Sequence, residues 1–178
     1  MRLVDVFQIP TSGNAGSLYA ISQLLYNIRK LDKADLVNII DSIFKPIGYK
    51  RKGNYWNLQG TEIMKIIYLQ KSAYSKSYYI NYGFNFPKLQ YTEVIMHIYR
   101  GLGSSEEKLN ELIKSLLNFE NEIPDYTRKI ELTNILNGKL KIELNKINSE
   151  SDIVKELKEN PIHLSSVTLK VKEYLKLN

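Results

Sequence analysis

The sequence predicts an α+β domain: an antiparallel meander of three to four strands packed by N-terminal and C-terminal helices. Two observations lead there. Apolar residues recur at three- and four-residue intervals up to Gly48, change to every second position between Asn54 and Phe86, and return to helical spacing after Ser104. In addition, 178 residues suit one hydrophobic core and are short for two. The expected organisation is an N-terminal arm and added helix over residues 1–30, followed by one α+β domain over residues 31–178.

Residues 1–14 lack a helical period and are punctuated by Pro10 and Gly13, so they read as an extended arm or short edge strand. From Ser17 the stripe Leu18, Ile21, Leu25, Ile28 and Leu31 predicts an amphipathic helix. Its apolar face must be buried, either on the open face of the protein's own sheet or on the same helix of a second copy, and the second, a homodimer through residues 15–31, is the favoured expectation. Asp32 offers an N-cap for a helix striped by Leu36, Ile40, Ile43, Phe44 and Ile47, which Pro46 and Gly48 stop. Strands are then expected at Asn54–Leu58, Glu62–Ser72 and Ser77–Phe86. The middle strand carries apolar residues on both faces and should be central. Tyr78, Ile80, Tyr82, Phe84 and Phe86 share one face of the last, opposite Tyr79, Asn81 and Asn85.

The run TEVIMHIYR fits a fourth strand by its β-branched residues and a short helix by its spacing, and strand is favoured. Ser104 with Glu107 predicts a capping box for a helix carrying Leu109, Leu112, Ile113, Leu116 and Leu117. A further helix is expected near residues 125–137, with Gly138 just past its end. KLKIEL fits either a strand or, with Leu136, Leu140, Leu144 and Ile147, a continued helix. Helices around residues 152–159 and 166–175 complete the chain.

Composition removes several function classes. With no Cys there are no disulfides, thiolate metal sites or cysteine nucleophiles. Mean hydropathy is -0.30 and no apolar run approaches the roughly 20 residues of a membrane helix, so no membrane partner is expected. Arg2, Asp5 and Pro10 interrupt the start where a signal peptide needs an apolar stretch, so a cytoplasmic location is expected.

The net charge of +6 is unevenly placed. Between Ser42 and Thr92 stand eight basic residues (Lys45, Lys50, Arg51, Lys52, Lys65, Lys71, Lys76 and Lys88) and one acid, Glu62, together with Trp56 and eight of the 13 Tyr. Such a basic, aromatic surface suits an acidic protein partner or nucleic acid. The competing reading is a solvated rim around a buried aromatic sheet.

The stretch from Ile47 to Trp56 (IGYKRKGNYW), then Leu69 to Ser72 (LQKS), then Tyr78 to Gly83 (YYINYG), resembles a bacterial family called domain of unknown function 4304. The resemblance covers residues 36–100 well and extends toward 160. It supports the α+β reading. It implies no activity, cofactor or catalytic residue.

The candidate binding residues are Lys50, Arg51, Lys52, Trp56, Gln70, Lys71, Ser72, Tyr79 and Asn81. Lys50–Lys52 would sit in an exposed loop between helix and strand, presenting cations to phosphate or carboxylate. Gln70, Lys71 and Ser72 close the long strand and pair near Tyr79 and Asn81, so all can share one patch at a sheet end. Gln70 and Asn81 can equally serve to tie the hairpin together. The expected function is a non-enzymatic intracellular binding module, of which an immunity or partner-neutralising protein is one kind. The alternative is single-stranded nucleic-acid binding or processing, with Tyr79, Tyr74 or Trp56 stacking bases. A hydrolase or nuclease would have to use His97 with Arg100, Lys71 or Glu93, for which no motif spacing exists. No cofactor or metal is expected, because neither His97 with Glu93 nor His163 belongs to a set with ligand spacing.

Overall fold

A computed structural model describes residues 31–177 apart from 91 and 93. The arm and helix expected before residue 31, the dimer contact of residues 15–31 and the role considered for Glu93 lie outside the described residues.

Helix α1, Lys33–Phe44, starts where the sequence places it. The Asp32 carboxylate accepts from the backbone N–H of Ala34 and Asp35 at 2.7 and 3.1 Å, and the Asp35 side chain accepts from Asp32 N–H at 2.9 Å. Leu36, Ile40, Ile43 and Phe44 are buried along one stripe, each worth about 1.5–3 kcal/mol over exposure. The 3₁₀ turn Lys45–Ile47 ends the helix.

Five antiparallel strands follow in sequence order as an uninterrupted meander: β1 Lys50–Lys52, β2 Tyr55–Gln59, β3 Met64–Lys71, β4 Tyr78–Asn85 and β5 Ile98–Gly101. The count corrects the expected three to four. Lys50–Lys52 is an edge strand and no loop, because Gly53 at φ 61° and Asn54 make a two-residue connection that pairs Lys52 with Tyr55, Arg51 with Trp56 and Lys50 with Asn57. A glycine with positive φ at the first central position is the signature of a tight hairpin. β3 is central, as its two apolar faces predict. Of the run TEVIMHIYR, only Ile98–Arg100 joins β5.

The register divides the sheet into two faces. Trp56, Ile67, Tyr82 and Arg100 lie in one row, and Lys65, Phe84 and Ile98 in another, all on the side that meets the helices. The side-chain bonds from the sheet to the helical layer leave from this face: Trp56 to Asp41, Lys65 to Asn148 in an interhelical loop, Tyr82 to Glu143 and Arg100 to Glu156.

Helix α2, Glu107–Leu117, lacks the predicted capping box: the Ser104 hydroxyl accepts from Glu106 N–H at 3.1 Å, one residue short of the helix. Gly138 does not end helix α3, Asp125–Ile135, which continues through a π turn, Leu136–Leu140, into α4, Lys141–Lys146. Buried Leu132, Leu136, Leu140 and Leu144 carry the apolar stripe across that junction, so KLKIEL is helical. Helix α5, Glu150–Glu159, opens with a capping box of Ser149 and Asp152. A 3₁₀ segment, Pro161–Ser166, and helix α6, Leu169–Leu175, follow.

Candidate basic and aromatic binding face

No described helix packs on the other face of the sheet, yet its centre is buried: Ile66 and Asn81 are 3% and 6% exposed, Gly83 is buried, and the Met96 side chain reaches Gly83. Read across the strands, one row is Lys52, Tyr55, Tyr68, Asn81 and Gly101, and the next is Lys50, Asn57, Ile66, Gly83 and Tyr99. Gln70 beside Tyr79 extends the face at one end, and Gln59, Met64 and Asn85 complete it at the other. No Asp or Glu occupies any of these positions. Lys50 and Lys52 are exposed, and no carboxylate of the described residues lies within 4.0 Å of either ammonium.

Two tyrosines at the middle of the face stack against each other: the rings of Tyr55 and Tyr68 are 4.5 Å apart and 7° from parallel. Such a cross-strand pair adds about 0.2–1 kcal/mol to the sheet. Burial, followed by the neighbouring Tyr68, pushes the Tyr55 hydroxyl above its ordinary pKa, and burial followed by Tyr68 and Tyr55 does the same for Tyr99. Both therefore stay neutral at physiological pH. A shallow depression of about 490 Å³ lies against this pair, lined by Lys52, Gly53, Asn54, Tyr55, Asn57 and Tyr68. Lysine ammonium, amide groups and tyrosine rings thus meet in one concavity.

The structure separates the nine predicted residues. Lys50, Lys52, Gln70, Tyr79 and Asn81 share this face, with Tyr79 51% exposed. Asn81 is buried and its amide donates to Gln70 Oε1 at 3.0 Å, so this pair ties β3 to β4. Lys71 is exposed but on the helix-side parity of β3, and Ser72 lies past the strand, accepting at Oγ from Tyr74 N–H at 3.2 Å. Trp56 does not reach the surface. Its residue alternates with Tyr55 and Asn57, so the ring is buried against α1 and cannot stack on a base. Tyr74, 99% exposed, and Tyr79 can.

Arg51 also points to the helix side, where Asp41 accepts from Trp56 Nε1 at 2.6 Å and Lys45 Nζ at 2.7 Å and faces the charge of Arg51, whose Nε lies 3.6 Å away. Burial opposes ionisation of Asp41, but the hydrogen bonds from Lys45 and Trp56 and the charges of Arg51 and Lys45 outweigh it and hold the carboxyl below its usual range. A depressed carboxyl stabilises the fold above its unfolded pKa of about 3.9, and this contribution disappears as pH falls through the folded value. Trp56→Phe should therefore lose about 1.5–3 kcal/mol at neutral pH, the worth of a hydrogen bond to a charged group, beyond the small packing change. Urea titrations from pH 7 to pH 3 should show the deficit narrowing at the acid end. A constant deficit would contradict the account.

The constellation considered for hydrolysis does not assemble. His97 is buried, stacked on Phe86, and its Nδ1 accepts from Phe86 N–H at 2.9 Å. That bond places any ring proton on Nε2 and makes the imidazole part of the β4–β5 connection. Lys71 pairs with Tyr78 at the opposite end of β4. Arg100 pairs with Glu156, which also receives His163 Nδ1 at 2.7 Å, while Glu143 is matched by Tyr82 and by Lys139 at 2.8 Å. The Tyr82 hydrogen bond and the Arg100 ion pair clip α4 and α5 to the covered face. Among the described residues no three His, Asp or Glu side chains could hold a metal ion, and no helix is long and apolar enough to cross a membrane.

Sequence reasoning missed Tyr55, Asn57, Tyr68 and Tyr99 as members of the face. The signal was present in the alternation of each strand, but it becomes a surface only when the register is known.

The family model described as a domain of unknown function (DUF4304) matches residues 40–160, which include all five strands. No curated protein and no solved structure matches the chain.

Proposed function

Because the chain belongs to the DUF4304 family, whose function is unassigned, we propose its role from its own surface: a binding module that docks an acidic protein partner at the exposed Lys50 and Lys52 edge of the sheet face opposite the described helices. The observation that carries the reading is the face's composition. Its charged side chains are Lys50 and Lys52, they lack carboxylate partners among the described residues, and they border neutral tyrosines and amides. Unpaired cations beside aromatic rings are complementary to carboxylates on a partner and give salt-dependent association. An intracellular immunity or partner-neutralising role is one form of such docking.

The test is a Lys50→Glu/Lys52→Glu double variant, measured by fluorescence anisotropy against labelled poly-glutamate at low salt. Affinity should fall at least tenfold, and the melting temperature should move by no more than about 2 °C, because surface substitutions away from packed features are usually within 0.5 kcal/mol. Unchanged affinity removes the face from consideration.

Exposed Tyr74 and Tyr79 support a second reading, single-stranded nucleic-acid binding, in which each ring stacks a base at roughly 1–3 kcal/mol. Titration with oligo-thymidine at two salt concentrations separates the two. Binding that falls steeply with salt and is lost in Tyr79→Ala favours nucleic acid, and no binding at low salt excludes it.

A further inference from the structure

Among the described residues the sheet ends at β1, whose three residues are all exposed. At the opposite edge β5 is flanked by the 3₁₀ segment Pro161–Ser166. The hydrogen-bond phase of the β1–β2 hairpin follows from one contact: Leu69 N–H donates to Asn54 O at 2.9 Å, so Asn54 and Trp56 turn their backbone groups toward β3, and Tyr55 and Asn57 turn theirs toward β1. Lys52 and Lys50 therefore bond inward, and the N–H and C=O of Arg51 point out of the sheet. Neither has a partner among the described residues. An outward N–H and C=O between two inward-bonded neighbours is what a further strand pairs with.

The side chains select that strand by charge. Lys50 and Lys52 project to the face opposite the described helices, and Arg51 to the other, where its guanidinium faces Asp41 at 3.6 Å, so an incoming strand meets two exposed ammonium groups on either side of Arg51. A second copy of this edge would bring like charges opposite one another, which is destabilising. An acidic strand has the opposite effect. We infer that β1 is an acceptor edge for strand addition by an extended, acidic protein segment whose carboxylates meet Lys50 and Lys52, with the backbone of Arg51 giving the central pair of hydrogen bonds. The inference rests on the acidic-partner reading above and specifies its geometry.

The probe is a short, acetylated and amidated peptide with three consecutive glutamates between valine and threonine, used at low ionic strength with the full chain. A matched peptide N-methylated at the central glutamate keeps its charge and loses the donor needed for pairing. Arg51→Pro removes the outward N–H without touching the internal ladder, since proline is tolerated on an edge where the N–H faces solvent; Arg51→Ala controls for the lost guanidinium. Wild type and Arg51→Ala should bind the parent peptide. Arg51→Pro, and wild type with the N-methyl peptide, should bind at least tenfold more weakly. In wild-type protein, exchange of the Arg51 amide hydrogen should slow at least tenfold on adding peptide, a readout that does not depend on the proline variant folding.

Equal binding of both peptides with no protection at Arg51 overturns strand addition. If the Lys50→Glu/Lys52→Glu variant has meanwhile lost binding, the docking face stands and only its geometry is wrong. Absence of parent-peptide binding, or oligo-thymidine binding that competes with the peptide without protecting Arg51, also overturns the inference.

Discussion

Replacing Gly83 by alanine should strip β5 from the sheet or unfold the protein. Gly83 stands opposite Tyr99 near the buried middle of the face opposite the described helices, and a Cβ built there would lie 1.9 Å from the carbonyl oxygen of Ile98 and 2.8 Å from Met96 Sδ. The thioether is the end of a flexible side chain and can move. The carbonyl belongs to β5 itself and moves only with the strand. A glycine within a strand, where another backbone approaches closely, has this steric requirement. Overpacking a side chain costs about 1–3 kcal/mol, and an obstacle made of backbone should exceed about 4 kcal/mol, the exceptional range for one substitution. Circular dichroism and urea titration check the loss. Met96→Ala added to Gly83→Ala should give no rescue, since the carbonyl remains. A Gly83→Ala protein melting within about 2 °C of wild type would show that β4 and β5 do not approach as described.

Arg128→Ala should cost about 3–5 kcal/mol, because it leaves several buried carbonyl oxygens without a donor at about 1–3 kcal/mol each. Arg128 is 3% exposed although its helix, α3, is mostly polar on its outer side. Its guanidinium closes the C-terminus of α2 and the turn after it. Nη1 faces the carbonyls of Ser115, Leu116 and Asn118, and Nη2 donates to Asn121 O at 2.8 Å. The Phe119 ring lies 5.1 Å from its central carbon. The last carbonyls of a helix have no intrahelical partners, and a cation there also opposes the negative end of the helix dipole. Alanine leaves several of these oxygens buried without a donor. Arg128→Lys should restore less than half the loss, because one ammonium cannot reach the spread of acceptors that a planar fork spans. Full rescue by lysine in urea titrations, or a loss below about 1 kcal/mol in alanine, would refute this arrangement.

Neither effect was legible in the sequence. Arg128 follows Asp125 by three residues and resembles a solvated helix charge. Only the packing of α3 against α2 turns it toward the carbonyls. Gly83 appears as an interruption in the alternating run Tyr78–Phe86, and its steric role depends on a strand that arrives after residue 97. The expected loop at Lys50–Lys52 failed for a related reason: three charged residues carry no hydrophobic alternation, and their strand state comes from backbone pairing with β2.

What the sequence determined by itself was local. The period of its apolar residues, three to four and then two, set which segments are helix and which are strand, because a buried stripe must face the core. The capping pair of Asp32 and Asp35 set where α1 begins, and the central place of Glu62–Ser72 followed from apolar residues on both its faces. The motifs at IGYKRKGNYW, LQKS and YYINYG located the family. The tertiary structure decided which side chains meet. Trp56 and Tyr55 are neighbours in sequence, yet one is buried on Asp41 and the other stacks on Tyr68. Alternation fixes that they oppose each other but leaves open which side the helices cover. That choice is made by long-range packing of α1, α4 and α5 on the face of Trp56, Tyr82 and Arg100. A one-residue shift in strand register would have exchanged the core and the binding face.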